Sequence, residues 1–201
     1  MTALSAAFAR KLEQRRPLAV DAARAIAIKR NTHEWIIAAE AARFDAALDE
    51  VMREPGARFD AISVKRLPGR EGEPFAAGER FTGCVRLAAL GWPRLGGTRL
   101  GAWLEDALFS DFAEIVERVP GRVVYRYLSG CPMAGTSTFT VEPLGPARCR
   151  FRVVFEYQEI GRIGVIVLNR FGLRLHDRVT DAQVERAADR LGAAILSRTP
   201  R

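Results

Sequence analysis

"RCRFRVVFEYQ", residues 148–158, sets Cys149, Phe151, Val153, Phe155 and Tyr157 in strict alternation with Arg150, Arg152, Val154, Glu156 and Gln158. Successive side chains of a β-strand point to opposite faces, so this stretch has one apolar and one wet face. That is the pattern of an antiparallel sheet covered on a single side. Whatever packs on the apolar face must be sought elsewhere in the chain.

Working outward, "RVVYRYLSGCPMAGTSTFTVEPLG" (122–145) repeats the period. Val123, Tyr125 and Tyr127 share one face, and after a connection at Gly130–Gly135 so do Phe139 and Val141, opposite Thr138 and Thr140. Gly145-Pro146 and Pro120-Gly121 read as turns. "DFAEIVERV" (111–119), "GERFTGCVRL" (78–87, with Phe81, Gly83, Val85 and Leu87 on one side) and "RFDAISVKRL" (58–67) add further strands. "THEWIIAA" (32–39) is a strand followed at once by "EAARFDAALDEVM", where Phe44, Ala47, Leu48 and Val51 recur at helical spacing. His33 reads as a strand-surface residue.

The cover is expected at the C-terminus. Thr180 and Gln183 have the spacing of a capping box, with Val179 and Val184 placed as a hydrophobic staple. From there Val184, Ala187, Ala188, Leu191, Ala194 and Ile195 form one stripe, predicting an amphipathic helix of about 16 residues. Residues 160–177, with Arg162, Arg170 and Arg174 and then Arg178, read as a lead-in that closes one end of the cavity or, as a helix, as a mixed surface of Ile166, Arg170, Phe171 and Arg174 able to lie against a lid, a membrane surface or a partner. His176 and Asp177, adjacent on a helix, point apart and are not read as a dyad. Two segments stand outside the sheet pattern. Residues 4–30 carry two thin helical stripes divided by Pro17 (Leu4, Phe8 and Leu12; then Ala22, Ala23, Ile26 and Ala27), read as an arm that packs on the body or, in a homodimer, on a partner subunit. Residues 88–110 carry Trp92 and Trp103 among four glycines and a proline, and read as a cover or lid.

The order strand, short helix, run of antiparallel strands and long final helix resembles the SRPBCC superfamily: START domains, the birch-pollen-allergen group and the polyketide cyclase/dehydrase group. The stretches that carry the resemblance are "AARFDAALDEVM", "RVVYRYLSGCPMAGTSTFTVEPLG" and "ARCRFRVVFEYQEIGRIG", within residues 32–197. The resemblance implies an α+β helix-grip fold, a curved antiparallel sheet of about six or seven strands wrapped around the C-terminal helix. It further implies a ligand-binding domain, taken as residues 31–201 with the arm at 1–30 outside the resemblance, and a turn at Gly130–Gly135 beside the cavity mouth with Cys131 incidental.

A sheet and a helix meeting at an angle leave an apolar space suited to a small molecule. The side chains expected to line it are Phe81, Val85, Tyr125, Tyr127, Phe139, Phe151, Val153, Phe155 and Tyr157, with Trp103 from the cover. The tyrosines are the better ligand readers, because a buried hydroxyl needs a partner. Nucleophile elbow, P-loop, HExxH and dinucleotide glycine motifs are absent from the sequence. The first expectation is therefore binding of a hydrophobic small molecule, lipid or polyketide-like, without assigned chemistry. The alternatives are a cyclase or dehydratase with a tyrosine or Glu156 polarising a carbonyl, and a protein-interaction module with a filled core.

Composition bounds the rest. The chain has 201 residues, 48% apolar and 27% charged, sized for one principal core. Three cysteines without CxxC spacing and two histidines argue against structural zinc or a disulfide framework, and no cofactor is expected. The net charge of +7 is spread among acids without a basic stripe, so nucleic acid is not an expected partner. No apolar run reaches membrane-span length, and the charged block Arg10–Arg16 is unlike a secretory signal; the cytoplasm is the expected compartment.

Overall fold

The computed structural model describes residues 6–21, 23, 26–54, 58–59, 62–67, 70, 73–86, 94, 98–101, 110–161 and 173–199. The alternating stretch is strand β8 (Arg148–Glu159), flanked antiparallel by β7 (Met133–Gly145) and β1 (Lys29–Ile37). The others are β2 (Arg58–Phe59), β3 (Ile62–Arg66), β4 (Arg80–Val85), β5 (Ser110–Val119), β6 (Arg122–Tyr127) and β9 (Ile195–Arg198). They form one nine-stranded sheet in the order β2-β3-β4-β5-β6-β7-β8-β1-β9. Nine exceeds the expected six or seven because β2 is two residues long and β9 lies inside a run that has helical spacing. Bulges between Ile115 and Glu117 and between Pro143 and Gly145 bend the sheet.

On the concave face, helix α2 (Ala41–Arg53) and the C-terminal helix α3 (Leu173–Leu191) pack on the sheet. Phe44, Ala47 and Val51 of α2 and Val184, Ala187 and Ala188 of α3 form one buried cluster with Trp35, Ile37, Val141, Cys149, Phe151 and Val153. Fully burying a large apolar side chain is worth about 2–3 kcal/mol, so this cluster is the main source of stability. Asp45 of α2 also accepts a hydrogen bond from the Gly121 amide at 3.1 Å, and Arg118 bridges Asp45 and Asp49 at 3.3 Å each. The β5–β6 turn is thereby tied to the helix.

Three expectations for α3 need correction. The helix starts at Leu173, so Thr180 is interior and its hydroxyl donates to the His176 carbonyl at 2.9 Å instead of capping. Gln183 turns away to Met52 Sδ at 3.2 Å, and no capping box forms. The helix ends where Gly192 takes φ +59°, with Gly192 N–H donating to Asp189 O and Ala193 N–H to Ala188 O. Ala194 and Ile195 thus leave the helix, and Ile195 opens β9, which pairs with the outer edge of β1.

The arm crosses the convex face. Helix α1 (Ala6–Glu13) places Leu12, fully buried, in a cluster with Phe112, Leu128 and Cys131, and the Arg15 guanidinium lies 3.6 Å from the centre of the Phe112 ring. Arg80 donates to the carbonyls of Leu12 and Glu13. Pro17 then bridges to Leu128, and Leu18 N–H donates to Tyr127 O at 2.9 Å. The second expected helix is absent among the described residues 23 and 26–28. The reason is Gln158, which accepts from Asp21 N–H and donates to the carbonyls of Asp21 and Ile26. Those carbonyls are thereby engaged by a side chain and not by a helical ladder. The contacts made by the described part of the arm are with the chain's own sheet.

The Gly-Cys-Pro turn belongs to this convex contact. Arg15 donates to Ser129 O, and Ser129 N–H donates to Arg16 O at 2.7 Å. Cys131 is not incidental: it accepts from Phe112 N–H at 3.0 Å and donates to Phe112 O at 3.2 Å, and burial pushes its thiol up to about 12. Gly135 lies inside β7, where a Cβ would collide with the Glu156 carbonyl and sit 2.9 Å from Tyr157 Cα. No other residue fits there without parting β7 from β8.

Candidate functional site

The alternation of β8, β7, β6, β5 and β4 brings Phe81, Tyr125, Tyr127, Phe139, Phe151, Val153, Phe155 and Tyr157 to the concave face, through the register pairs Phe81↔Ala113, Ala113↔Tyr127, Val123↔Phe139 and Phe139↔Val153. The Val85 side chain, and Trp103 with most of the expected lid, lie outside the described residues. The lining residues divide into two environments. Phe151 meets Trp35, Phe44 and Phe139 at ring separations of 5.5–6.1 Å; Tyr125 meets Phe139 at 5.0 Å and Phe81 at 5.2 Å. Between this aromatic mass and α2 is a cavity of about 40 Å³, lined by Leu48, Met52, Tyr125 and Phe139 among others. That is room for about one water molecule. Phe151, Val153 and Phe139 act here as core.

The ionisable groups on this side are matched. Arg66 is buried across Glu79 at 2.6 Å, donates to Glu73 O at 2.5 Å and covers the Phe75 ring at 4.2 Å. An open groove of about 480 Å³ beside the arm, lined by Glu13, Leu67, Arg70, Glu79 and Arg80, is likewise made of paired charges, with Arg70 on Glu73 at 2.8 Å and Arg80 on Glu114 at 3.9 Å. Arg80 also donates to the backbone carbonyls of Leu12 and Glu13, so the groove joins arm to body.

The second environment surrounds Tyr127. Its ring stands edge-on to Phe155 at 5.8 Å, and Phe155 is stacked between Tyr157 at 4.4 Å and His176 at 4.8 Å. The Tyr127 hydroxyl shares a hydrogen bond of 3.1 Å with Ser137, one strand over. Burial pushes the Tyr127 hydroxyl well above the ordinary tyrosine range, and Tyr157 upward as well. Asp111 sits two residues from Ala113 on the same face of β5, diagonal to Tyr127 at about 7 Å by antiparallel geometry. Asp111 is half-buried; its backbone carbonyl accepts from the Thr82 hydroxyl at 2.8 Å, its carboxyl has neither ion pair nor hydrogen bond among the described residues, and desolvation pushes that carboxyl up to about 6.

Asp111 was readable in the sequence: it falls on the apolar phase of its strand with Ala113 and Ile115. Glu156 was expected to polarise a carbonyl, but it lies on the opposite phase, in register with Arg30 and Thr136, and faces away from the concave side. His33 is also corrected. It is buried, with Nε2 2.9 Å from Asp177 Oδ1 of α3, and burial pulls its imidazole below the ordinary value. His33 is on the concave phase of β1, in register with Val153, which the run "THEWII" left ambiguous. No group of three or more His, Cys, Asp or Glu among the described residues could hold a metal ion, and no helix among them is long and apolar enough to cross a membrane.

Sheet, grip helix and connectivity match solved structures. The Zhui aromatase/cyclase of a Streptomyces species superposes with a TM-score of 0.55 at 13% identity, over 82% of this chain and 96% of that one. Norcoclaurine synthase of Thalictrum flavum, as a point mutant with a transition-state analogue, superposes with a TM-score of 0.53 at 12% identity, over 84% and 99%. The fold is the helix grip of the SRPBCC superfamily. Another norcoclaurine synthase structure, holding dopamine and hydroxybenzaldehyde, gives a TM-score of 0.52 at 14% identity over 82% and 88%. At these identities the likeness to SRPBCC proteins is one of fold. No family model matches the sequence, and no curated protein matches it.

Proposed function

We propose that this helix-grip protein binds a hydrophobic small molecule, lipid or polyketide-like, against the Tyr127 end of its concave face. The observation that carries the reading is the Tyr127–Ser137 hydroxyl pair with Asp111 beside it, set in the aromatic surround of Phe155 and Tyr157. An apolar wall with a few convergent polar groups is the usual form of a small-molecule site. A close-packed core alone gives no reason for an acid on the inner phase of β5, and the acids at the Tyr125 end, Asp45, Asp49 and Glu79, are ion-paired. The neighbouring folds add support in kind: one is an aromatase/cyclase, and the other has been seen with two aromatic compounds.

The test is organic extraction of never-refolded protein followed by mass spectrometry, with Ser137→Leu, which removes the hydroxyl partner of Tyr127 and adds bulk beside it, as the control. An apolar compound at near-stoichiometric yield, reduced at least tenfold in a Ser137→Leu variant that circular dichroism shows to be folded, is the expected result. An empty extract, together with no binding of naphthalene-type probes, would refute the reading. Asp111 also favours a second reading, a cyclase or dehydratase acting on such a compound, because a carboxyl lifted by burial is suited to proton transfer near neutral pH. That version predicts turnover lost in Asp111→Asn and retained in Glu156→Gln.

A further inference from the structure

We propose that the N-terminal arm is a strap built into the sheet, and that its insertion between β6 and β7 sets the affinity of the site at Tyr127. This concerns regulation of the ligand site proposed above and rests on that reading. Strands β6 and β7 pair directly from Arg122↔Thr140 to Arg126↔Thr136. The next pair in that register would join Tyr127 to Gly135, and there Leu18 of the arm intervenes. Its N–H donates to Tyr127 O at 2.9 Å, and its carbonyl accepts from Gly135 N–H at 3.2 Å. The neighbouring arm residues are tied to the same stretch. Pro17 bridges to Leu128, Arg16 O accepts from Ser129 N–H at 2.7 Å, and Arg16 N–H donates to Ser129 Oγ at 3.0 Å. Strand β6 stays attached to β5 throughout, with Leu128 N–H donating to Phe112 O at 2.9 Å. At this point the arm fills a gap in the sheet.

The gap lies directly behind the proposed site. Tyr127 is the residue at the break, and its hydroxyl meets Ser137, two residues beyond Gly135 on the far strand. Leu12 of the arm belongs to one buried cluster with Phe112, Leu128 and Cys131 from the convex side and Tyr127, Phe155 and Tyr157 from the concave side. Apolar packing therefore passes through the sheet here. Tyr127 O and Gly135 N–H address the same arm residue from opposite sides, and with the arm withdrawn they are acceptor and donor in register for each other. Neighbouring strands lie about 4.8 Å apart, so the interposed peptide holds Tyr127 roughly one further strand spacing from β7. Closing the gap satisfies both backbone groups again and carries the Tyr127 ring toward β7, into the space beside Ser137. A ligand seated against Tyr127 favours the arrangement with the arm in place. The coupling is reciprocal: the factor by which the arm strengthens binding is the factor by which the ligand holds the arm.

The experiment measures both sides of that coupling in the full chain, with 2-acetylnaphthalene as a small apolar fluorescent probe. Leu12 is fully buried, and a carboxylate cannot stay in its place, so Leu12→Asp lifts the arm. Loss of protection at the Leu18 amide in hydrogen exchange shows the lifting. Probe affinity should then fall at least fivefold, while Leu12→Met, which keeps the apolar anchor, stays within about twofold of the unaltered protein. The Gly135 amide should remain protected in Leu12→Asp, because Tyr127 O replaces Leu18 O as its acceptor. In the unaltered protein the probe should slow exchange of the Leu18 amide by the same factor and level off there; slowing that keeps growing with probe concentration would report global unfolding and overturn the coupling. This second measurement decides the matter even if Leu12→Asp does not fold. Unchanged affinity in a folded Leu12→Asp with its Leu18 amide exposed, or exchange indifferent to the probe, would overturn the strap while leaving ligand binding intact. Failure of the probe to bind the unaltered protein would overturn the ligand-binding reading and the strap with it.

Discussion

Tyr125 and Tyr127 lie two residues apart on one strand and face the same side of the sheet, yet they stand in different chemistry. Tyr125 is wedged between Phe81 and Phe139 beside a space for one water, in a region whose buried charge, Glu79, is matched by Arg66. Tyr127 shares its hydroxyl with Ser137 and has an unmatched acid beside it. The contrast separates two uses of buried polarity. Where charges are paired and hydrogen-bonded, they hold segments together; where a titratable group lacks a partner inside an apolar face, the fold sustains a cost that packing does not explain. One end of the grip supplies stability and the other supplies recognition.

The largest test of that division is Phe151→Ala. It should cost about 3–5 kcal/mol in chemical denaturation, because Phe151 is buried against Trp35, Phe44 and Phe139. Naphthalene-probe affinity of the folded fraction should stay within about twofold; a large loss of affinity at small cost in stability would erase the boundary between the ends. Next is Arg66→Leu, which leaves the buried Glu79 with the Ala76 N–H at 3.3 Å and, as its remaining cation among the described residues, Arg70 at 3.7 Å. Its expected cost is about 3 kcal/mol, with most of it recovered when Glu79→Leu is added. A neutral single variant would mean that the pair is not structural.

The sign reverses at the other end. Asp111 has a folded-state pKa of about 6, above its ordinary 3.8, so its contribution is fully present below about pH 4 and is lost as pH rises through 6. At pH 7.5 the ionised acid therefore burdens the fold. Asp111→Asn should be more stable there by about 1 kcal/mol, since the residue is half-buried and solvent screens part of the effect. The advantage should vanish near pH 4, and a destabilised variant at pH 7.5 would show that Asp111 has a partner in the native fold. The smallest effect concerns His33, whose imidazole is lowered by burial despite Asp177 beside it. Its contribution holds above the ordinary imidazole range and is lost as pH falls through the lowered value. His33→Gln should accordingly lose less stability than the unaltered protein between pH 7 and 5, measured by denaturant midpoints at each pH.

The strands and their faces were legible because period-two alternation in 122–128, 148–158 and 78–85 is a direct consequence of the pleat. The C-terminal helix was legible as an element but not in its limits. Thr180 and Gln183 imitate a cap locally, while the packing of α3 against α2 decides where the helix runs. Ile195 continues a helical stripe, and only the left-handed Gly192 turns it into an edge strand. The arm's second stripe lost to a single distant side chain, Gln158, which no local reading could locate. For the site, the tyrosines were found because aromatic hydroxyls stand out on an apolar phase. Asp111 was passed over although the same phase argument applies to it, and Glu156 was preferred although its phase excludes it.

The most direct test of the two-ended grip uses the three tyrosines of the chain. Incorporation of 3-fluorotyrosine gives one ¹⁹F resonance each for Tyr125, Tyr127 and Tyr157, assigned by single Tyr→Phe variants. On titration with 2-acetylnaphthalene at pH 5, the Tyr127 and Tyr157 resonances should shift and saturate together while Tyr125 stays in place. A shift confined to Tyr125, or an equal shift of all three, would contradict the assignment of recognition to the Asp111–Tyr127 end.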